Sequence, residues 1–178
     1  GANVDVADIE SAIEGGTDVE ITTGGATGSE DGDISWLGNG DVTFDLTGNQ
    51  TLTLAAEGKI TFANGLNITV NNFARALHAE AGKAGANDSA NSDVILRNVT
   101  IDLNGGDFVA SGNRDLLSPG APDITANSWT LDFDRNIELD NDGDIDLATV
   151  TADNNLTITS VTGSISNSPG TVTVGGAS

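Results

Sequence analysis

The densest set of side chains able to do chemistry is Glu138-Leu139-Asp140-Asn141-Asp142-Gly143-Asp144-Ile145-Asp146. Acidic groups at alternate positions, a glycine after the third and an isoleucine two further on resemble the opening of a calcium loop. Hard Ca²⁺ needs several converging oxygens, and glycine permits the sharp bend. The pattern departs at both ends: Glu138 stands where such loops open with Asp, and Thr149 where a bidentate Glu closes them. The run therefore reads as a solvated turn. Asp140, Asp142 and Asp144 are weak metal candidates, Ca²⁺ is the one ion they would suit, and no other cofactor is expected.

Asp132 and Asp134 flank Phe133 and could serve as a general acid and base on a sugar, because both would face solvent from one strand. Sugar hydrolases built on parallel β-helices add a second Asp pair, a Gly-His-Gly step and an Arg-x-Lys step, none of which occurs here. Nucleophilic catalysis fares no better, since the chain has one histidine, His78, and no cysteine. No enzyme is expected. Five N-glycosylation sequons begin at Asn49, Asn67, Asn87, Asn98 and Asn155. A repeat that sets Asn in turns and Thr on outer strand faces generates them without glycosylation. Thr51/Thr53, Thr157/Thr159 and Thr171/Thr173 raise ice binding by a flat Thr array, although exposed β-branched Thr also stabilises strands with no ligand.

The elements that carry these residues are strands. Val42, Phe44 and Leu46, Leu52 and Leu54, Ile60 and Phe62, then Leu66, Ile68 and Val70 alternate with a period of two, broken by turn residues every eight to ten positions. The alternation returns at Val94 and Leu96, shifts phase at Arg97-Asn98 as at a corner between faces, and runs on to Val174. Gly-Asp steps introduce many of the runs: Gly32-Asp33-Ile34, Gly40-Asp41-Val42, Gly106-Asp107-Phe108 and Gly143-Asp144-Ile145. This recurrence is the mark of a solenoid. The expected fold is all-β, a right-handed parallel β-helix with a short N-terminal helix capped at Asp8 and ended by Gly15-Gly16, forming one domain over residues 1–178. Coils of roughly 20 to 25 residues would give roughly eight turns and a rod near 40 Å long. Leu54, Phe62, Ile68, Leu131, Phe133 and Ile158 should lie inside, and Thr53 and Thr69 outside. Asn-Gly steps suit antiparallel hairpins as well, which makes a meander or sandwich the rival architecture. Phe73 to Ala81 reads as a strand and Gly82 to Asp93 as a protruding loop, while Ser118-Pro119-Gly120-Ala121-Pro122 is the clearest turn.

Six Lys and Arg against 27 Asp and Glu leave a net charge of −21, the reverse of a nucleic-acid-binding surface, and no stretch suggests membrane insertion. Hydrophobic residues make up 37% and aromatics only 4%, so the core must be built from Val, Ile and Leu. A chain without methionine that opens Gly1-Ala2-Asn3 is expected to be a processed product or part of a longer one.

Ile9-Glu10-Ser11-Ala12-Ile13-Glu14-Gly15-Gly16-Thr17-Asp18-Val19-Glu20-Ile21-Thr22-Thr23, Gly32-Asp33-Ile34-Ser35-Trp36 and Thr51-Leu52-Thr53-Leu54-Ala55-Ala56-Glu57-Gly58-Lys59-Ile60 together resemble a block of the large filamentous-haemagglutinin-type proteins. Val99-Thr100-Ile101-Asp102-Leu103, Gly105 to Gly112 and Gly143-Asp144-Ile145-Asp146-Leu147 fit the same pattern. The resemblance implies a right-handed parallel β-helix within a long bacterial surface fibre or adhesin, often exported by two-partner secretion. The Asn-Pro motifs of that family's secretion domain are missing, so the chain would be an internal shaft block. The expected role is thus a structural or adhesive segment of a secreted, cell-surface filament, partnered by itself, by adjoining β-helix blocks or by surface glycans. A carbohydrate-binding or carbohydrate-active module and an ice-binding solenoid are the alternatives.

Overall fold

The computed structural model describes residues 4–23, 32–37, 41–72, 76–82, 92–120, 122–133, 136–141, 143–153, 155–167 and 170–175. Helix α1 (Val6–Glu14) comes first. Its N-cap is Asp5, not Asp8: Asp5 holds an extended backbone and its carboxylate accepts the N–H of Ala7 at 3.0 Å. Asp8 instead sits in the first turn, where the helix dipole favours a negative charge. Strands β1 (Val19–Thr22), β2 (Ile34–Trp36) and β3 (Asp41–Asp45) form the first turn, and β4 (Thr51–Ala56), β5 (Ile60–Phe62) and β6 (Asn67–Asn71) the second. Then come β7 (Ala76–Ala81), β8 (Val94–Leu96), β9 (Thr100–Asp102), β10 (Asp107–Gly112), β11 (Leu116–Leu117) and β12 (Asp123–Thr125). The chain closes with β13 (Ser128–Phe133), β14 (Asn136–Asn141), β15 (Ile145–Ala152), β16 (Asn155–Ser160), β17 (Ile165–Ser166) and β18 (Thr171–Val174).

Up to β14 every third strand stacks on the last, giving a parallel β-solenoid with three faces; beyond it β15 pairs with β13, β16 with β14, and both β17 and β18 with β15. Face A runs β1-β4-β7-β10-β13-β15-β18, face B β2-β5-β8-β11-β14-β16 and face C β3-β6-β9-β12. All the described pairings between strands are parallel, so the hairpin rival falls. The Asn-Gly steps turn the chain from one face to the next. Asn104 and Gly105 both hold positive φ, 50° and 79°, the two-residue geometry of a hairpin turn, yet they carry the chain from β9 on face C to β10 on face A. Asn98, at φ 45°, makes the corner that the phase shift predicted.

Six strands on face B span five turns, not eight, so the rod is about 24 Å long at ~4.8 Å per turn. The turns are longer than the strand spacing suggested. Val19 pairs with Leu52 and Leu77 with Phe108, 33 and 31 residues apart, longer than the expected repeat. Thr51 with Ala76 and Asp107 with Ser128, 25 and 21 apart, keep the expected repeat. The loop predicted over Gly82 to Asp93 lies mostly outside the described residues, whereas the strand predicted before it is β7.

Alternation places one side chain in two inside, and parallel register stacks like on like. Leu52, Leu77, Phe108 and Trp129 form one inner column on face A, with the Phe108 and Trp129 rings 5.1 Å apart. On face B, Trp36 lies over Phe62 with ring centres 6.3 Å apart. Leu54, Phe62, Ile68, Leu131 and Phe133 are buried as expected. Ile158 is only half-buried, because β16 belongs to the last turn and nothing described covers it. At the corner between faces A and B the backbone itself stacks: Gly58 N–H donates to Gly32 O and Gly82 N–H to Gly58 O, each at 3.1 Å. Gly82 has φ +70°, and a Cβ there would lie 2.6 Å from Ser92 Oγ. No other residue fits.

Two stability results follow. Phe62→Ala or Leu131→Ala should cost about 2 to 5 kcal/mol through lost burial and a cavity, and Ile158→Ala clearly less, read from urea unfolding. Gly82→Ala should destabilise although it adds only a methyl; equal stability to wild type would contradict the corner geometry.

Candidate functional site

Aspartates just before the strands, two of them (Asp33 and Asp144) in the Gly-Asp steps that mark the repeat, form the most regular polar feature of the structure, and their carboxylates point along the rod. Asp18, just before β1, accepts the backbone N–H of Thr51, the first residue of β4, at 2.6 Å. Asp33, just before β2, accepts the N–H of Lys59 at 2.9 Å, and the Lys59 ammonium lies 3.2 Å from the other Asp33 oxygen. Asp93 accepts from Asp115 N–H at 3.2 Å, Asp115 from Asn136 N–H at 2.9 Å, and Asp144 from Ser164 N–H at 2.7 Å. In each case the donor is the equivalent residue one turn on. A strand that starts at a corner leaves its preceding N–H without a ladder partner, and the carboxylate supplies one. Where side chains meet instead, the same column continues through amides and hydroxyls. Asn67 bonds Asp41 at 2.7 Å, Asn71 bonds Asp45 at 2.8 Å, Ser128 bonds Asp107 at 2.6 Å and Asn155 bonds Asn136 at 3.0 Å. Arg114 lies 3.5 Å from Asp93 and 3.8 Å from Asp115, offsetting the charge where two carboxylates are stacked.

The structure places most of the side chains whose chemistry was weighed from the sequence. Asp144, one of the three metal candidates, is exposed, and its carboxyl is held below the usual 3.8 by the backbone N–H of Ser164 first and the Ser164 hydroxyl second, against a smaller opposing effect of burial. Asp140 is half-buried on β14, in register with Thr159, and its N–H donates to Ser118 Oγ at 2.6 Å. Asp142 lies outside the described residues. Among the described residues no group of three metal-ligating side chains forms. The residue that matters most in this run is Asn141, which is fully buried. Its Oδ1 accepts the N–H of Ile124 at 2.8 Å and its Nδ2 donates to Ile124 O at 3.2 Å, so the side chain imitates a strand neighbour for β12. Ile137, Leu139 and Asn141 alternate, which was the signal that Asn141 points inward.

Asp132 is exposed on face A, and its partner Asp134 lies outside the described residues. His78 sits on the outer side of face A between Thr53 and Val109. Among the sequons, the Asn67 and Asn155 amides belong to the columns above, Asn98 forms a corner, Asn49 is exposed, and Asn87 is outside the described residues. Of the Thr pairs, Thr171/Thr173 stack in register on Thr149/Thr151. Thr51/Thr53 stand at the other end of face A, and Thr157/Thr159 are on face B.

The fold and its corners define a class: an all-β parallel solenoid whose turns are joined by side chains as well as by strand ladders. Comparisons of the chain with protein-family models, with curated proteins and with solved structures find no match.

Two outcomes are expected. Asp115→Ala should lower stability by about 1 to 3 kcal/mol in urea unfolding, because Asp115 is buried and serves Asn136 through both its N–H and its amide. Asp102→Ala, which removes only a local turn bond to Asn104 on the exposed surface, should cost far less. The second concerns pH. A folded carboxyl below its ordinary pKa stabilises the fold above that value, and the gain disappears as pH falls through the folded value. Thermal melts from about pH 5 down to pH 2 should therefore show an acid-induced loss that is shallower in Asp144→Asn than in wild type. Parallel curves would remove Asp144 from the set of joining residues.

Proposed function

We propose that this chain is a shaft segment of a secreted bacterial surface fibre or adhesin of the filamentous-haemagglutinin type, and that its work is mechanical. The observation that carries the reading is the direction of its polar interactions: strand hydrogen bonds and aspartate contacts run along one axis, from each turn to the next. Load applied along the rod is shared by three parallel ladders together with the corner bonds. The same groups would be poor catalysts, since carboxylates that hold backbone N–H groups are not free to move protons. Glycan binding finds little support either. Trp36, Trp129, Phe44, Phe62, Phe108 and Phe133 are all buried, and no aromatic is among the large hydrophobics exposed on the described surface. A charge of −21 suits surroundings where salt or divalent cations screen it.

The Thr149/Thr151 and Thr171/Thr173 stack favours ice binding as a second reading, since two rows of hydroxyls lie in register. Two turns make a small array beside Asp132, and no thermal hysteresis is expected of the isolated chain. For the main reading, antibody raised against residues 1–178 should decorate surface filaments of the source cells in immunogold electron microscopy. Label confined to the cell interior would overturn it.

A further inference from the structure

The sides of the rod differ in charge. Outward residues on face C include Asp41, Asp45, Asp102 and Asp123, and those on face A include Glu20, Glu80 and Asp132. Face B is different over its first four strands. The outer row through β2, β5, β8 and β11 is Ser35, Thr61, Ile95 and Leu117, in register turn on turn. The residues that follow these strands in the second row, Leu37, Ala63, Arg97 and Pro119, add no carboxylate, and Leu37 is 85% exposed. On the next strand, β14, the same two rows carry Glu138 and Asp140. Arg97 is exposed in a chain of net charge −21, yet among the described residues it has neither an ion pair nor a hydrogen bond, whereas Lys59 and Arg114 are each held by aspartates. Glu138 and Asp140 have no cation beside them. Two strand spacings, about 10 Å, separate them from Arg97 along the rod.

We propose that two copies of this chain lie side by side and antiparallel through face B, Arg97 of each copy pairing with Asp140 of the other. This deepens the shaft reading and rests on it: the contact is on the side of the rod and leaves both ends free to continue. The occupant follows from charge. A second copy is as acidic as the first, so contact through face A or face C would set carboxylate against carboxylate. Face B is complementary to itself. A two-fold axis parallel to its strands and passing through Leu117 turns one rod end for end, keeps each outer row over itself and brings β8 opposite β14. Leu117 then meets Leu117 and Pro119 meets Pro119, while Arg97 meets Asp140, with Glu138 two residues away on the same strand. A parallel pair does not work, because each strand then lies on its own equivalent and Glu138 and Asp140 face the same two acids. Short strands stacked at ~4.8 Å make a contact below the roughly 1,000 Å² of a stable interface, so two such segments associate weakly and at high concentration.

The test uses residues 1–178. Sedimentation equilibrium at protein concentrations up to about a millimolar should show a monomer–dimer equilibrium. Arg97→Asp and Asp140→Arg should each weaken it by about tenfold or more, and the double variant Arg97→Asp/Asp140→Arg should restore it, since the exchanged charges meet again across the axis. Circular dichroism checks that each variant keeps its strand content. Because the chain has no cysteine, Leu117→Cys gives an independent reading: oxidation should yield disulfide-linked dimers, whereas Thr43→Cys, exposed on face C, should stay monomeric. A monomer throughout this range, or a dimer that neither single variant weakens, would overturn the proposal while leaving the shaft reading to the immunogold result. A dimer that the single variants weaken and the double variant does not restore would overturn it too, since Arg97 and Asp140 would then not face each other. Restoration together with label confined to the cell interior would uphold the side-by-side contact and remove the fibre.

Discussion

Each turn of this rod is held by the turn before it. Three ladders of parallel strands supply most of that contact, but the ladders stop at the corners, where the chain changes direction and backbone N–H groups lose their partners. An unpaired N–H that is sheltered from water costs about 1 to 3 kcal/mol, and the corners recur in every turn. Asp18, Asp33, Asp93, Asp115 and Asp144 answer this by accepting the N–H one turn on. The rest of the structure depends on that contact, because it keeps the turns in register where glycine gives the backbone its bend. It also accounts for part of the acidity of the chain. Some of the 27 acidic residues are joints, not decoration, and a solenoid that joins its corners with carboxylates acquires charge in proportion to its length.

The core obeys the same constraint. Parallel register stacks identical positions, so Leu52, Leu77, Phe108 and Trp129 rise in one column and Trp36 meets Phe62 in another. Such columns need flat, branched or aromatic side chains that pack above and below equally well, which is what a composition rich in Val, Ile and Leu provides. Trp129 shows the cost: it is fully buried, and its indole N–H meets no acceptor among the described residues. The ends of the column are where packing fails. α1 closes one, and at the other Ile158 is only half-buried among the described residues.

Much of this was legible in the residue order. Alternation through Val42 to Val70 placed the inner side chains, and the phase shift at Arg97-Asn98 marked a corner. Parallel pairing was harder to see, because Asn104-Gly105 adopts the conformation of a hairpin turn and only the next strand's partner shows that it is a corner. The number of turns was overestimated because stacked partners lie 33 residues apart at Val19–Leu52 and 31 apart at Leu77–Phe108, beyond the even spacing that the strands suggest. The run from Glu138 to Asp146 drew attention as oxygen donors for a cation. Its period of two, followed one step further, would have turned Asn141 inward and suggested a backbone partner. The aspartate joints themselves were hidden for a plain reason: donor and acceptor lie 20 to 33 residues apart at irregular intervals, so no local pattern connects them.

The most direct test is amide hydrogen exchange resolved to single residues. The N–H groups of Thr51, Lys59, Asp115, Asn136 and Ser164 stand at corners, where an ordinary turn amide would exchange freely. If carboxylates hold them, they should be protected to a degree approaching their strand neighbours, and Asp33→Ala should release Lys59 alone while Ile60, which donates to Asp93 O, stays protected. Free exchange at these five amides in the wild-type chain would contradict the account.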